Sequence, residues 1–505
     1  MAHSSAGDSI LASPNTYADV TLSAAVSTSN REASLAIRLQ DAGNGYVVIF
    51  LPDGISWNNG VGGIWIAKRV GYSEQYIGYY HGANFPLLGQ SAQLSVSALG
   101  SSIEVKLNNQ LVLHVTDATY TSGRVGLRIY GDAVLPCDST FANVVVTAVA
   151  TDIKVTNFAD GESINYDLPL LIGTAQGSNS ISITIGNSTL NWFVRDGRWR
   201  AFVPLQVGAN TILLTSPSGN RASLKLNYRP QRNNKMVRLV YVLGSDSAGS
   251  FDAPIGAPNG LSNAISRLRL ACRMLQSITA ELLYEKGLPR QTFRLLHDES
   301  FNPIVDTPRS PLSINQLRSM DSSSLWSHYY GLFSGLPNRE NVIDVTVIAD
   351  THFDVATGQV LAHAALGGGR LCLFGSGTFY SFPDSLNEIE SHFLDTSPIE
   401  SYLFPEIGRA RQYWAAYTTS LGAILHETGH CFGLPHPTNP TPGDIMARGF
   451  DYLNRAAVTY EPGFGNINPA VDIMPRWTND DAITLQANSW FSKVMYDIYL
   501  PAIVR

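Results

Sequence analysis

Charge is scarce in this chain. Only 15% of its 505 residues are Asp, Glu, Lys or Arg. The 34 basic and 41 acidic residues leave a net charge of −7, and no basic run stands out. The electrostatic footprint of a nucleic-acid binder is therefore missing. No stretch reaches 18 consecutive apolar residues, so no membrane-spanning helix is expected. There are four cysteines, Cys137, Cys272, Cys372 and Cys431, far apart and without a C-x-x-C pair. That argues against a disulfide scaffold or a zinc knuckle, while leaving room for a single bridge. The start, Met1 to Ser9, lacks both the basic and the apolar segment of a secretory signal. Gly, Ser, Asn and Thr supply the polarity instead, a composition suited to β-sandwich modules and to a secreted or cell-surface protein; the cytoplasm is the alternative.

A chain of this length holds two to four domains. Residues 1–149 alternate polar and apolar positions in short runs, at Ala18–Val26, Ala33–Leu39, Tyr46–Leu51, Ala92–Ser97, Ile103–Leu107 and Leu111–Val115. Gly, Asn and Asp cluster between the runs as turns require. Gly123–Gly131 followed by Phe141–Val146 closes the module, and that ending resembles concanavalin-like jelly-roll sandwiches. The resemblance implies a scaffold or a glycan contact. Trp57, Trp65, Tyr76, Tyr79 and Tyr80 are the aromatics able to stack on sugar rings, unless they belong to the core. His81, beside Tyr80, reads as an ordinary surface histidine. Residues 150–230 carry five further strand-length runs, and their turns at Gly208–Ile212 and Ser218–Ala222 resemble immunoglobulin-like modules, which implies a spacer.

After the polar linker Arg229–Lys235 the periodicity changes. Val237–Leu243 reads as a buried strand, and Ser262 to Glu285 as a long amphipathic helix capped by Ser262 and stopped by Gly287. Strands follow at Thr292–Leu296 and Val342–Ile348. Residues 231–505 therefore read as an α/β domain with a largely parallel sheet.

Inside it, residues 426–436 run His-Glu-Thr-Gly-His-Cys-Phe-Gly-Leu-Pro-His, the pattern H-E-x-x-H-x-x-G-x-x-H. On a helix, His426 and His430 lie one turn apart on one face and reach one metal ion together. Gly433 lets the backbone leave the helix through a left-handed turn, which returns His436 as a third ligand. Three protein ligands leave one zinc position open, the arrangement of catalytic sites. Glu427 stands next to the first ligand, placed to take a proton from water without binding metal. Cys431 projects about 100° around the helix from His430 and reads as a small buried residue.

Gly443-Asp-Ile-Met-Ala447 follows the third histidine. Together with Asn259–Arg269, Ala364–Ser376, Ile445–Arg455 and Arg476–Asp481, it resembles metzincin zinc peptidases of a poorly characterised, mainly fungal family. The resemblance implies an endopeptidase with one catalytic Zn2+, a Met446 that packs beneath the ligands, and a protein or glycoprotein substrate. It also implies that an edge strand receives the substrate as an added antiparallel strand, for which Leu371, Cys372, Leu373, Phe374 and Gly375 are the candidates, unless that run is an ordinary buried strand with a glycine hinge. Arg448 and Phe450 are candidates for the side-chain pocket. Arg448 stands where some metzincins carry a zinc-binding Tyr two residues after the Met, and whether Tyr452 or Tyr460 contributes stays open. The rival reading is a glycan-binding or adhesive protein whose protease-like domain is inactive.

Overall fold

The computed structural model describes residues 2–4, 7–55, 59–99, 102–117, 119–131, 137–148, 153–217, 219–405 and 408–492. The chain divides into two compact units. One is residues 1–154 with 174–182 and 214–222; the other is residues 155–173, 183–213 and 223–505. Among the described residues, no helix is long and apolar enough to cross a membrane.

The first unit is a β-sandwich of two six-stranded sheets. Alternation explains it: along Val20–Thr28 and Ala92–Leu99 every second side chain is buried. Val20, Leu22, Leu94 and Val96 of one sheet meet Leu35, Ile37, Val48, Phe50 and Ile66 of the other in a single apolar cluster. Three long strands of the second sheet, Gly7–Tyr17, Gly63–Val70 and Ser73–Tyr80, were not legible as alternating runs. Their sheet is buried on both faces near its centre, because a second cluster (Leu39, Val47, Ile49, Leu51, Ala67) lies away from the sandwich core. Gly63–Val70 is covered on both sides and loses the alternating signature, whereas Gly7–Tyr17 and Ser73–Tyr80 are the sheet's largely exposed edge strands.

Residues 153–228 form a three-stranded and a five-stranded sheet. Within the second unit, Asn157 and Glu162 are tied to the long helix Leu261–Tyr284 by an ionic network. Arg290 donates to Glu281 (2.6 Å) and Glu162 (2.8 Å), and Asn157 donates to Glu281 (2.8 Å). The helix starts one residue before the expected cap. Gly260 occupies the N-cap and Ser262 lies in the first turn, without a capping hydrogen bond. Gly287 follows the helix end with φ +76°, as expected of a stop residue.

The sheet that carries the site has five strands, in the order Val305–Asp306, Met236–Val242, Val342–Ile348, Leu371–Gly375 and Ala365–Gly368. The first four run parallel. The last is antiparallel to its neighbour. Of Thr292–Leu296, Thr292–Phe293 pairs with Phe491–Ser492 outside this sheet, while Leu295 forms a single parallel bridge to Val237 within it.

Candidate metal centre

The motif occupies the last turns of the helix Tyr413–Cys431. Gly433 has φ +87°, and its left-handed backbone turns the chain back. His426, His430 and His436 are thereby brought together, with one ligand atom of each within 4.8 Å of the others. His436 Nε2 lies 3.2 Å from His426 Nε2 and 3.1 Å from His430 Nε2. The other ring nitrogens of His426 and His430 are occupied. His426 Nδ1 is 2.7 Å from the Ile445 carbonyl and His430 Nδ1 is 2.8 Å from the Leu434 carbonyl. A carbonyl only accepts, so both Nδ1 atoms carry the proton and both Nε2 lone pairs face inward.

Converging lone pairs repel one another unless a cation sits among them. Nitrogens held tetrahedrally at about 2.0–2.1 Å from zinc lie roughly 3.4 Å apart, close to the spacing here. The residues therefore fit a zinc ion. Burial lowers the pKa of His426 to about 4, against the pull of the Ile445 carbonyl. Burial also lowers that of His430. Both imidazoles are neutral at pH 7, the form that binds metal.

Glu427 is half-buried beside the three histidines. Burial pushes its carboxyl up to about 7, and the Gly367 amide, hydrogen-bonded to it, pulls partly back. A carboxylate poised near neutrality suits proton transfer in both directions. Gly367 has no room for a side chain: a Cβ there would lie 2.1 Å from the Glu427 carbonyl oxygen. Gly367→Ala is expected to destabilise the chain by about 1–3 kcal/mol and to weaken activity with it. Thermal melting beside a peptide-cleavage assay checks this, and wild-type values in both would refute the close contact.

Met446 is fully buried beneath the helix. Gly429 makes the space, since a Cβ there would come within 2.5 Å of the Met446 sulfur. Seven residues earlier, Gly422 does the same for the Phe450 carbonyl, at 2.2 Å. Two glycines on one helix face admit the segment 445–450. That seven-residue spacing is visible in the sequence. Beneath the segment, the Ile445 amide donates to the Arg476 carbonyl (3.0 Å).

The expected substrate strand is corrected. Leu371, Cys372, Leu373, Phe374 and Gly375 are all buried and paired on both sides, with Val342–Ile348 and with Ala365–Gly368. Their main-chain groups have no free side for an added strand. The glycine-rich stretch is a hairpin rather than one strand, turning at Gly369 (φ +56°). Its outer arm, Ala365–Gly368, is the sheet edge beside the motif helix.

Phe450 stands 5.2 Å, ring to ring, from His426. Arg448 turns to Asp451 (2.7 Å), its side chain 65% exposed, and lies over the Phe450 ring. Tyr452 is engaged under the Arg409 and Arg455 guanidinium groups. Tyr460 lies under that of Arg195. Cys431 is buried with its sulfur 2.9 Å from that of Cys372, both as free thiols. In the first unit Tyr76 and Tyr79 are exposed, and Trp65 packs on Tyr79 at 4.8 Å. Tyr80 instead packs against the sandwich core. His81 pairs with Asp53 (3.0 Å). Trp57 lies outside the described residues.

Three inward-facing imidazoles with a carboxylate at their side define a candidate metal-dependent hydrolytic centre. Residues 152–492 match the model of the family described as "Putative peptidase family", and the chain belongs to that family. A Schizosaccharomyces pombe protein named as a putative zinc metalloproteinase is 31% identical over 290 residues, 54% of this chain and 46% of that protein. A Saccharomyces cerevisiae protein of the same description is 27% identical over 404 residues, 70% of this chain and 57% of that one. The chain thus spans about half the length of the curated relatives it matches. Solved structures align weakly. Wild-type OgpA from Akkermansia muciniphila gives a TM-score of 0.33 at 16% identity, covering 52% of this chain and 63% of that one. The carbohydrate-binding module CBM66 from Bacillus subtilis gives 0.24 at 21%, covering 29% and 84%. Likeness at this level carries no argument.

Proposed function

We propose that the chain is a zinc-dependent endopeptidase of the metzincin type, with the N-terminal unit directing it to glycoproteins. The observation that carries this is the convergence of three Nε2 lone pairs, each Nδ1 proton of His426 and His430 being parked on a carbonyl. His426, His430 and His436 would hold the ion. Zinc, when bound, supplies Lewis acidity toward a carbonyl and a water molecule. Glu427 takes the proton of the attacking water and hands it to the leaving amine. The Gly367 amide steadies the carboxylate in that role. The main chain of Ala365–Gly368 receives the substrate as an added antiparallel strand. Phe450 and Arg448 border the side-chain pocket. The family membership and the names of the yeast relatives support the peptidase reading.

His436→Ala tests the ligand set. The remaining two imidazoles sit on an intact helix, so the expected result is a folded protein with zinc content well below one ion per chain and no cleavage. A variant that retains a full equivalent of zinc through dialysis would overturn the assignment of His436.

A further inference from the structure

We infer that the N-terminal unit binds a ring of a neutral saccharide, in a groove on the outward face of its second sheet. This rests on the steering role proposed above and gives it a site and a ligand class.

The outward face of a sandwich sheet normally meets water, with polar side chains extended into solvent. Here Ile49, Leu51, Arg69 and Arg128 lie outside the sandwich core cluster, yet are only 4%, 5%, 3% and 4% exposed. They line a cavity of about 710 Å³, a size that holds a small ligand. Its floor is ionic. The Arg128 guanidinium donates to Asp8 (2.6 Å), Glu32 (2.8 Å) and Glu74 (2.9 Å) at once. Arg69 pairs with Asp8, while its buried Nε makes no hydrogen bond and lies 3.5 Å from Glu74.

The cavity's three guanidinium groups (Arg31, Arg69, Arg128) balance its three carboxylates (Asp8, Glu32, Glu74). A charged ligand would meet no net complement. Hydroxyl groups fit, because each both donates and accepts and so matches alternating guanidinium and carboxylate edges. The walls add ring surfaces. Tyr72 and Tyr76 also line the cavity, at 67% and 61% exposure, with the Arg69 guanidinium 5.7 Å from the Tyr72 ring and the Tyr76 hydroxyl 3.5 Å from Glu74. Trp65 stands beside them in the lining. Aromatic faces against C–H edges, over a floor of fixed donors and acceptors, suit a sugar ring.

The test applies the full chain to an array of neutral, sialylated and sulfated oligosaccharides. Retention of neutral glycans is expected, weakened at least tenfold in Tyr72→Ala/Tyr76→Ala with melting temperature unchanged. If the double variant melts low, Tyr72→Ser alone, at the more exposed position, carries the same comparison. No saccharide retained, a preference for acidic glycans, or a variant that binds like wild type would each overturn the proposal. Cleavage of unglycosylated peptides is measured alongside, so failed sugar binding and failed proteolysis are told apart.

Discussion

Glu427→Gln is expected to lower peptide cleavage by about 10²–10⁴-fold, the usual contribution of a positioned general base. The amide has the carboxylate's shape and still accepts the Gly367 N–H, so the helix and the edge strand keep their contact. His426, His430 and His436 are untouched, so zinc binding persists. Activity and metal content thus part company, which no folding defect would produce. The check is kcat/KM on a fluorogenic peptide, with zinc measured by mass spectrometry on the same sample. Undiminished cleavage would remove Glu427 from the chemistry.

Glu461→Gln is expected to cost about 3–5 kcal/mol of stability, the penalty for breaking a buried ion pair on one side. Glu461 is fully buried and is gripped by two guanidinium forks. Arg455 donates at 2.8 Å to each oxygen, and Arg409 and Asn454 complete the cradle. Burial alone would raise its pKa, but these donors outweigh it and hold the carboxyl at about 2. The ordinary value is about 4.3. A folded-state pKa below the unfolded one gives stability that is fully present above about pH 4.3. It is lost as the pH falls towards 2. Melting temperatures from pH 7 to pH 2.5 should therefore fall more steeply for wild type than for the variant at the acid end. Parallel curves would show that the network contributes little. The consequence reaches the site, since Arg409 precedes the motif helix and Arg455 follows the Met446 segment.

The metal-centre geometry was legible because it is local. One helical turn separates His426 from His430, and a glycine three residues on reverses the chain. These are short-range constraints that a spacing records directly. The edge strand was not legible, because pairing is tertiary. The glycine-rich stretch looks continuous, and only Gly369 at φ +56° splits it into a hairpin whose outer arm is Ala365–Gly368. Leu371–Gly375 is apolar because it is covered on both faces, and flanking strands on both sides deny it the edge. The helix cap failed for a related reason. Ser262 is a better capping residue than Gly260, but the chain's entry places Gly260 in the extended conformation at the boundary. In the N-terminal unit, alternation marked Val20–Thr28 and Ala92–Leu99, which have one wet face, and also Tyr46–Leu51, which is buried on both faces. It missed Gly63–Val70, whose outward residues Ala67 and Arg69 are buried as well.

The central claim is that three imidazoles hold one zinc ion that drives peptide hydrolysis. Stripping the full chain with chelator and adding zinc back in steps, while following cleavage of an unglycosylated peptide library, tests it most directly. Activity is expected to vanish on stripping, to rise linearly to one equivalent of zinc per chain and then to level off. Cleavage that survives in the stripped protein, or a full equivalent of bound zinc without hydrolysis of any peptide, would contradict it.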